Sequence, residues 1–288
     1  MKKIGFIGLG AMGQPMAQNL VQAGFPLFVN DMNQDAVKTL VQAGAVAKNT
    51  PAEMAPHVDI LITMLPNATI VKTVLTGENG FLQEAKPGQI LIDMSTVSPH
   101  ETRELAEIAK QKGLSYMDAP VSGGVNGAQK ASLTLMIGAQ TETLEATRPM
   151  LEAMGKKLYH LGDVGSGNAM KIVNNMLLGL NMLATGEAIF LARQMGLDLE
   201  KMCDVVKESS GNSYVFDSRA AKCIENQDYT PGFAIDLQYK DLCLAQNTAQ
   251  TVGAAAPILD FGLLQYEKAR AQGLGSEDIA ALYKIWDK

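Results

Sequence analysis

Lys171 and Asn175 stand four residues apart in Met170-Lys171-Ile172-Val173-Asn174-Asn175, a spacing that puts an ammonium and a carboxamide on one face of a helix. A lysine partly desolvated beside an apolar ring has its pKa drawn down toward working pH, which suits it to exchange a proton with an alcohol oxygen. The competing reading is a side chain laid along its own helix with its head in water. The three histidines offer less, because His57 and His100 follow Pro56 and Pro99 at element starts and His160 closes a strand. A group suited to binding is Ser122-Gly123-Gly124, in the run that begins Asp118-Ala119-Pro120-Val121. A hydroxyl followed by two unhindered amides can cradle a carboxylate, although Ser-Gly-Gly is also an ordinary turn.

Gly8-Leu9-Gly10-Ala11-Met12-Gly13 follows the apolar run 4–7 and opens a stretch whose apolar face is Met12, Met16 and Leu20. Between a strand and a helix this spacing is a dinucleotide-binding fingerprint. Gly8 permits the tight turn, Gly10 lets backbone amides approach a pyrophosphate, and Gly13 lets the helix pack on the sheet. The free amides and dipole at the helix start hold the phosphate charge. Asn30-Asp31 ends the second strand, 18 residues past Gly13. A carboxylate there accepts the ribose hydroxyls and repels a 2′-phosphate. No arginine stands beside Asp31, and Lys38 is the nearest following cation, so NAD is expected rather than NADP. Ligands bind at the carboxyl ends of strands in open α/β sheets. The loops Met64-Leu65-Pro66-Asn67 and Met94-Ser95-Thr96 are therefore expected to complete the pocket.

These groups need a frame. Short apolar runs at 4–7, 27–30, 60–65, 90–93 and 114–118 alternate with amphipathic stretches such as 35–42 and 100–112, the pattern of a mostly parallel sheet covered on both sides. A hairpin-like pair, 132–138 and 157–161, flanks a helix at 142–154. From residue 165 strand signals almost vanish. Residues 166 to about 195 read as one helix, roughly 45 Å long at the usual rise per residue. Further helices are expected at 199–208, 236–251, 257–272 and 276–286. The organisation is an α/β Rossmann-type domain over 1–163 and an all-α C-terminal domain over 164–288, opening with the long interdomain helix.

Bulk properties set limits. The chain's 288 residues are 47% hydrophobic and 19% charged, enough to bury a sizeable core. A net charge of -6 without a basic block argues against a nucleic-acid partner. Glycines interrupt the first apolar run, which argues against a signal peptide, and polar residues within the longest apolar segments argue against a bilayer span. Cys203, Cys223 and Cys243 match no zinc-ligand spacing. They are read as packing residues of a cytoplasmic protein without a metal. The low charge of 172–191 and the 16 methionines suggest a homodimer or homotetramer.

Taken together, the motifs resemble the β-hydroxyacid dehydrogenase family, which includes 3-hydroxyisobutyrate dehydrogenase and tartronate semialdehyde reductase and whose helical domain is of the 6-phosphogluconate dehydrogenase type. The markers are residues 5–13, 118–124, Gly165-Ser166-Gly167-Asn168 leading to Lys171 and Asn175, and Lys240-Asp241-Leu242, so the resemblance spans essentially the whole chain. It implies that Ser122, Gly123 and Gly124 hold a small hydroxy-acid substrate, Lys171 is the acid/base and Asn175 orients the substrate. It also implies that Thr96 and Lys240 approach the cofactor. Segments 171–181, 209–214 and 231–237 are most similar to the branch acting on 2-(hydroxymethyl)glutarate. The family also holds enzymes for 3-hydroxyisobutyrate, tartronate semialdehyde and serine. An imine reductase shares the architecture but generally lacks the lysine. A dinucleotide-binding protein without turnover is the alternative outside enzymes. The larger 6-phosphogluconate enzyme is excluded by chain length and by the missing basic cluster near Lys171.

Overall fold

Strands that are apolar on both faces need cover on both faces. The computed structural model, which describes residues 1–225 and 229–286, supplies it. Strands β1 (Ile4–Ile7), β2 (Leu27–Asn30), β3 (Val46–Ala47), β4 (Ile60–Thr63), β5 (Ile90–Asp93) and β6 (Ser115–Asp118) form one sheet in the order β3-β2-β1-β4-β5-β6. Every pairing in it is parallel. The helical connections are α1 (Gly13–Gln22), α2 (Gln34–Gln42), α3 (Pro51–Met54), α4 (Ala68–Thr76) and α5 (Pro99–Gln111). Successive strand residues point to opposite faces. Phe6, Ile60 and Ile62 accordingly join one core with Met16, Leu20 and Leu40, while Ile7 and Leu61 join another with Val71 and Leu105. Strand order reverses between β1 and β4, so the crevice of this sheet lies at the carboxyl ends of those two strands.

Local signals account for the helix starts. Ser98 and Glu101 form a capping box ahead of α5, with Pro99 in the first turn. Asn67 caps α4 by accepting from the Ile70 amide at 2.9 Å, which makes the Pro66-Asn67 turn a helix start as well as a loop.

The expected hairpin is corrected. In the second sheet β7 (Val121–Ser122) lies antiparallel to β8 (Leu133–Ile137), but β8 and β9 (Gly155–His160) run parallel. The intervening α7 (Thr141–Glu152) carries the chain back before β9 starts, and such a crossover returns a strand in the same direction. The short α6 (Gly124–Gln129) joins β7 to β8.

The chain divides into compact units Met1–Lys171 and Ile172–Lys288. The division falls inside α8 (Ser166–Gln194), eight residues past the boundary expected from sequence. The cause is visible at Asn168. Its side chain accepts from the Val97 amide and donates to Thr102 Oγ1, which ties the start of α8 to the α/β unit.

The second unit is helical, with α9 (Leu199–Lys207), α10 (Ile235–Thr251), α11 (Pro257–Ala271) and a π-helical turn at Phe216–Glu225. The helix expected at 276–286 is a tighter 3₁₀ segment, Ile279–Ile285, capped by Asp278. Met182, Leu183, Leu242 and Tyr266 belong to its core. Length and an 18-residue mean hydropathy of 1.3 would by themselves let α8 cross a bilayer, so composition does not exclude a span as the sequence reading held. In the structure part of α8 is buried, with Ile172, Met182, Leu183, Ile189 and Ala192 inside and Val173, Leu177 and Leu191 about half exposed. Cys203 is buried and Cys243 half-buried, while the Cys223 side chain lies outside the described residues.

Candidate active site

The glycine turn has the shape that its sequence demands. Gly8 has φ +100°, and a Cβ there would collide with the Met64 carbonyl; a Cβ at Gly13 would collide with the Gly8 carbonyl. Neither position admits a side chain. At Gly10 a Cβ would meet nothing within 4 Å, so the outer side of the turn is open. Leu9 is buried, Ala11 exposed and Met12 half-buried against the core. No side chain caps the start of α1; the Leu9 amide is taken by Asp31, the Gln14 amide by Gly10 O, and Pro15 has no N–H, so the amides left for a ligand are those of the turn itself, from Gly10 to Gly13. An open surface ringed by such amides fits a pyrophosphate, and the residues present therefore fit a dinucleotide.

Asp31 is fixed at the end of β2. Its Oδ2 accepts from the Leu9 amide at 2.6 Å and its Oδ1 from the Asn33 amide at 2.7 Å. Each carboxylate oxygen has a further lone pair for a ribose hydroxyl. Asn30 works on the other side, donating through Nδ2 to the Lys48 and Asn49 carbonyls at 2.8 and 3.0 Å. That nitrogen ties β2 to the chain leaving β3, so Asn30 shapes the strand end that carries Asp31.

The loops after β4 and β5 are knitted to this turn. Met64 donates its amide to Ile7 O, and the Leu65 amide donates to Ser95 Oγ at 2.9 Å. Met64, Leu65 and Thr96 are half-buried and Pro66 is exposed. The buried Asp93 accepts from Thr63 Oγ1 at 2.9 Å, from the Ser95 amide at 3.0 Å and from the Tyr116 hydroxyl at 3.3 Å. Burial nevertheless pushes its carboxyl above the usual carboxylate range. The sequence reading named Ser95 only as part of its loop and passed over Asp93. The one signal for Asp93 was an acid closing the otherwise apolar strand Ile-Leu-Ile-Asp.

Lys171 is 9% exposed, and its Nζ donates to Val121 O at 2.8 Å. Ser122, Gly123 and Gly124 come next, with φ +136° and +62° at the two glycines. The amine thus lies against the loop that carries the expected carboxylate cradle. The Asp118 carboxylate accepts from the Gly165 and Asn168 amides, both at 2.7 Å, at the entry to α8. Burial raises its pKa to about 6; the two amides oppose that rise and the Asp93 charge adds to it.

In the second unit, Asn175 is buried, and its Nδ2 donates to Asp241 Oδ2 at 2.5 Å. Its Oδ1 accepts from Asn174 Nδ2 at 2.9 Å. Lys240 Nζ stands 2.9 Å from Asp241 Oδ1. Asp241 thus connects two residues that the sequence reading named separately, and had itself entered that reading only as part of the Lys240-Asp241-Leu242 marker, with no role given. The first unit brings together Gly8–Gly13, Asp31, Met64, Leu65 and the β5 loop, and it joins Lys171 to the Ser122 loop; the second joins Asn175 to Lys240.

Residues 3–162 match the family model described as the NAD binding domain of 6-phosphogluconate dehydrogenase. Residues 165–286 match that described as NAD-binding of NADP-dependent 3-hydroxyisobutyrate dehydrogenase. The chain is 44% identical to 2-(hydroxymethyl)glutarate dehydrogenase of Eubacterium barkeri, over 99% of this chain and 95% of that one. It is 38% identical to the NAD-dependent L-serine dehydrogenase of Pseudomonas aeruginosa, over 100% of this chain and 98% of that one. Among solved structures, the Mycobacterium tuberculosis 3-hydroxyisobutyrate dehydrogenase with L-serine superposes with a TM-score of 0.92 at 35% identity, covering 100% of both chains.

Proposed function

The chain belongs to the β-hydroxyacid dehydrogenase family related to 3-hydroxyisobutyrate dehydrogenase and is an NAD-dependent hydroxyacid oxidoreductase, and we propose that it interconverts an acid HOCH₂–CHR–COO⁻ and its semialdehyde with Lys171 as general acid/base. The observation that carries this reading is the buried Lys171 amine, bonded to the carbonyl directly before Ser122. In the oxidation direction Lys171 Nζ takes the hydroxyl proton, and in reduction it returns that proton to the aldehyde oxygen. A bound NAD supplies the hydride acceptor. Ser122 Oγ and the amides of Gly123 and Gly124 hold the substrate carboxylate. Asn175, its carboxamide held by Asp241 and Asn174, orients the substrate. Gly8 to Gly13 receive the pyrophosphate, Asp31 the ribose, and Met64, Leu65, Pro66, Thr96 and Lys240 the remainder of the cofactor.

The group R is where the relatives differ. 2-(Hydroxymethyl)glutarate, 3-hydroxyisobutyrate, glycerate and serine all present a hydroxymethyl beside a carboxylate-bearing carbon. We place 2-(hydroxymethyl)glutarate first because the 44% identity covers almost all of both chains. Serine is the second reading, favoured by the 38% relative named for L-serine and by the L-serine named with the superposed structure. The test is a screen of these four acids with NAD, following NADH absorbance. The highest kcat/KM is expected with 2-(hydroxymethyl)glutarate. A higher value with serine moves the assignment of R, and no turnover with any of the four defeats the proposal.

A further inference from the structure

Lys171 is held from both ends of a closed ring of bonds, all of it within the first unit. From Asp118 the chain runs three residues forward to Val121, whose carbonyl receives the Lys171 amine at 2.8 Å. From Lys171, α8 runs three residues back to Asn168, whose amide donates to Asp118 Oδ2 at 2.7 Å. The Gly165 amide donates to the other oxygen, Oδ1, at 2.7 Å. Asn168 is itself anchored, with its Oδ1 accepting from the Val97 amide at 3.2 Å and its Nδ2 donating to Thr102 Oγ1 at 3.1 Å. Asp118, Asn168 and Thr102 are each fully buried.

Space around the carboxylate shows that the ring admits little play. A Cβ on Gly138 would stand 2.5 Å from Asp118 Oδ1, and one on Gly167 would stand 2.9 Å from Oδ2. Two positions without side chains therefore sandwich the carboxylate. The Asp118 backbone is pinned as well, exchanging amide bonds with Gly138 at 3.1 and 2.9 Å. A flexible lysine needs such support, since its four-carbon stem otherwise spreads the amine over many rotamers. General acid–base transfer requires the group within hydrogen-bond reach of one oxygen, and small displacements in supporting structure reduce rate steeply.

We propose that Asp118 and Asn168 are positioning residues for the reaction, touching neither substrate nor cofactor but fixing the Lys171 amine against the Ser122 loop. The inference rests on the reading of Lys171 as the acid/base, and its test separates the two. Asp118→Asn keeps the shape but turns an N–H toward one of the two amides. Thr102→Val keeps the carboxylate and removes only the hydroxyl that anchors Asn168, so it serves if the first variant does not fold.

Three readouts are compared with wild type: kcat and KM with 2-(hydroxymethyl)glutarate and NAD, NADH affinity by fluorescence, and the ¹⁵Nζ signal of Lys171 assigned with Lys171→Arg. Asp118→Asn should lower kcat at least tenfold and Thr102→Val about threefold, with NADH affinity and the KM for NAD within twofold. In both variants the Lys171 signal should move toward that of solvent-exposed lysines. A Lys171 signal that stays at its wild-type position in folded variants overturns the proposal. A signal that moves while kcat holds supports the positioning of the amine and removes Lys171 from the chemistry instead.

Discussion

Gly10 and Gly13 lie three residues apart in one turn, and the structure predicts opposite consequences for giving each a methyl group. At Gly10 the added Cβ meets nothing within 4 Å, so Gly10→Ala should leave the fold intact. Stability should hold or rise, by about 0.4–1 kcal/mol, because the unfolded chain loses freedom. The same methyl, however, stands on the open side of the turn, where the amides from Gly10 to Gly13 are proposed to meet the pyrophosphate. Losing one charge-assisted hydrogen bond there costs roughly 1.5–3 kcal/mol, or about 10- to 100-fold in NADH affinity. At Gly13 the Cβ would overlap the Gly8 carbonyl oxygen. Relief requires moving α1 off the end of the sheet, at about 1–3 kcal/mol or more. Urea unfolding and NADH fluorescence titration on both variants separate the cases. If Gly10→Ala binds NADH within twofold of wild type, or is destabilised as much as Gly13→Ala, the assignment of the open face to the cofactor is refuted.

Asp31 should favour NAD over NADP by at least roughly tenfold in kcat/KM, about 1.4 kcal/mol; Asp31→Ala should narrow that gap, and equal efficiency of the wild type with both cofactors contradicts the argument. Lys171→Ala should lower kcat by roughly 10²–10⁴ while NADH still binds, and Lys171→Arg should fail nearly as badly because a guanidinium keeps its proton. Oxidation should rise and reduction fall as pH passes the lysine pKa, and stopped assays in both directions would expose a structural lysine by showing neither limb. Asp118, raised from 3.8 to about 6 by burial, binds its proton more tightly folded than unfolded. Its contribution is full below pH 3.8 and is lost as pH rises through about 6, up to about 3 kcal/mol. Urea unfolding should therefore show wild type losing stability relative to Asp118→Asn between about pH 4 and 6 and running parallel to it above about pH 7, and parallel curves throughout would count against it. Light scattering should return a homodimer or homotetramer, and a mass near 30.8 kDa at micromolar concentration would contradict that.

What the sequence could reveal followed the range of the forces involved. The β1 to α1 unit was legible because its strand period, its glycines and its helix face all act within about twenty residues. The length of α8 was legible too, since apolar positions recur without interruption from Ser166 to Gln194. The relation of β8 to β9 was misread as hairpin-like, although a helix between two strands is the mark of a parallel crossover, which the bonded register shows. The two-residue strands Val46–Ala47 and Val121–Ser122 are too short to show any period. The 276–286 helix failed for a related reason, because apolar spacing cannot distinguish a 3₁₀ segment from an α-helix over seven residues.

The same distinction orders the site. Residues proposed to meet substrate or cofactor announce themselves by type, as glycines in a fixed spacing, an acid after a strand, or a lysine on an apolar helix. The residues that hold them do so across long stretches of chain, and their types are unremarkable where they stand. Asp118 reaches Gly165 and Asn168 across 47 and 50 residues, and Asp241 reaches Asn175 across 66. No local pattern selects an aspartate for such a bond. The burial of a carboxylate does, because an acid taken out of water persists only where donors meet it. Asp93, Asp118, Asp241 and Asp278 are all nearly or wholly buried, and each accepts hydrogen bonds from other segments of its own unit. Three of the four close on a neighbour of a proposed functional group: Ser95 beside Thr96, the Lys171 ring, and Asn175. Those three acids are therefore proposed as the long-range support of the functional residues, fixing in space what the short motifs supply in kind, while Asp278 holds Arg219, Gly232 and Phe233 instead.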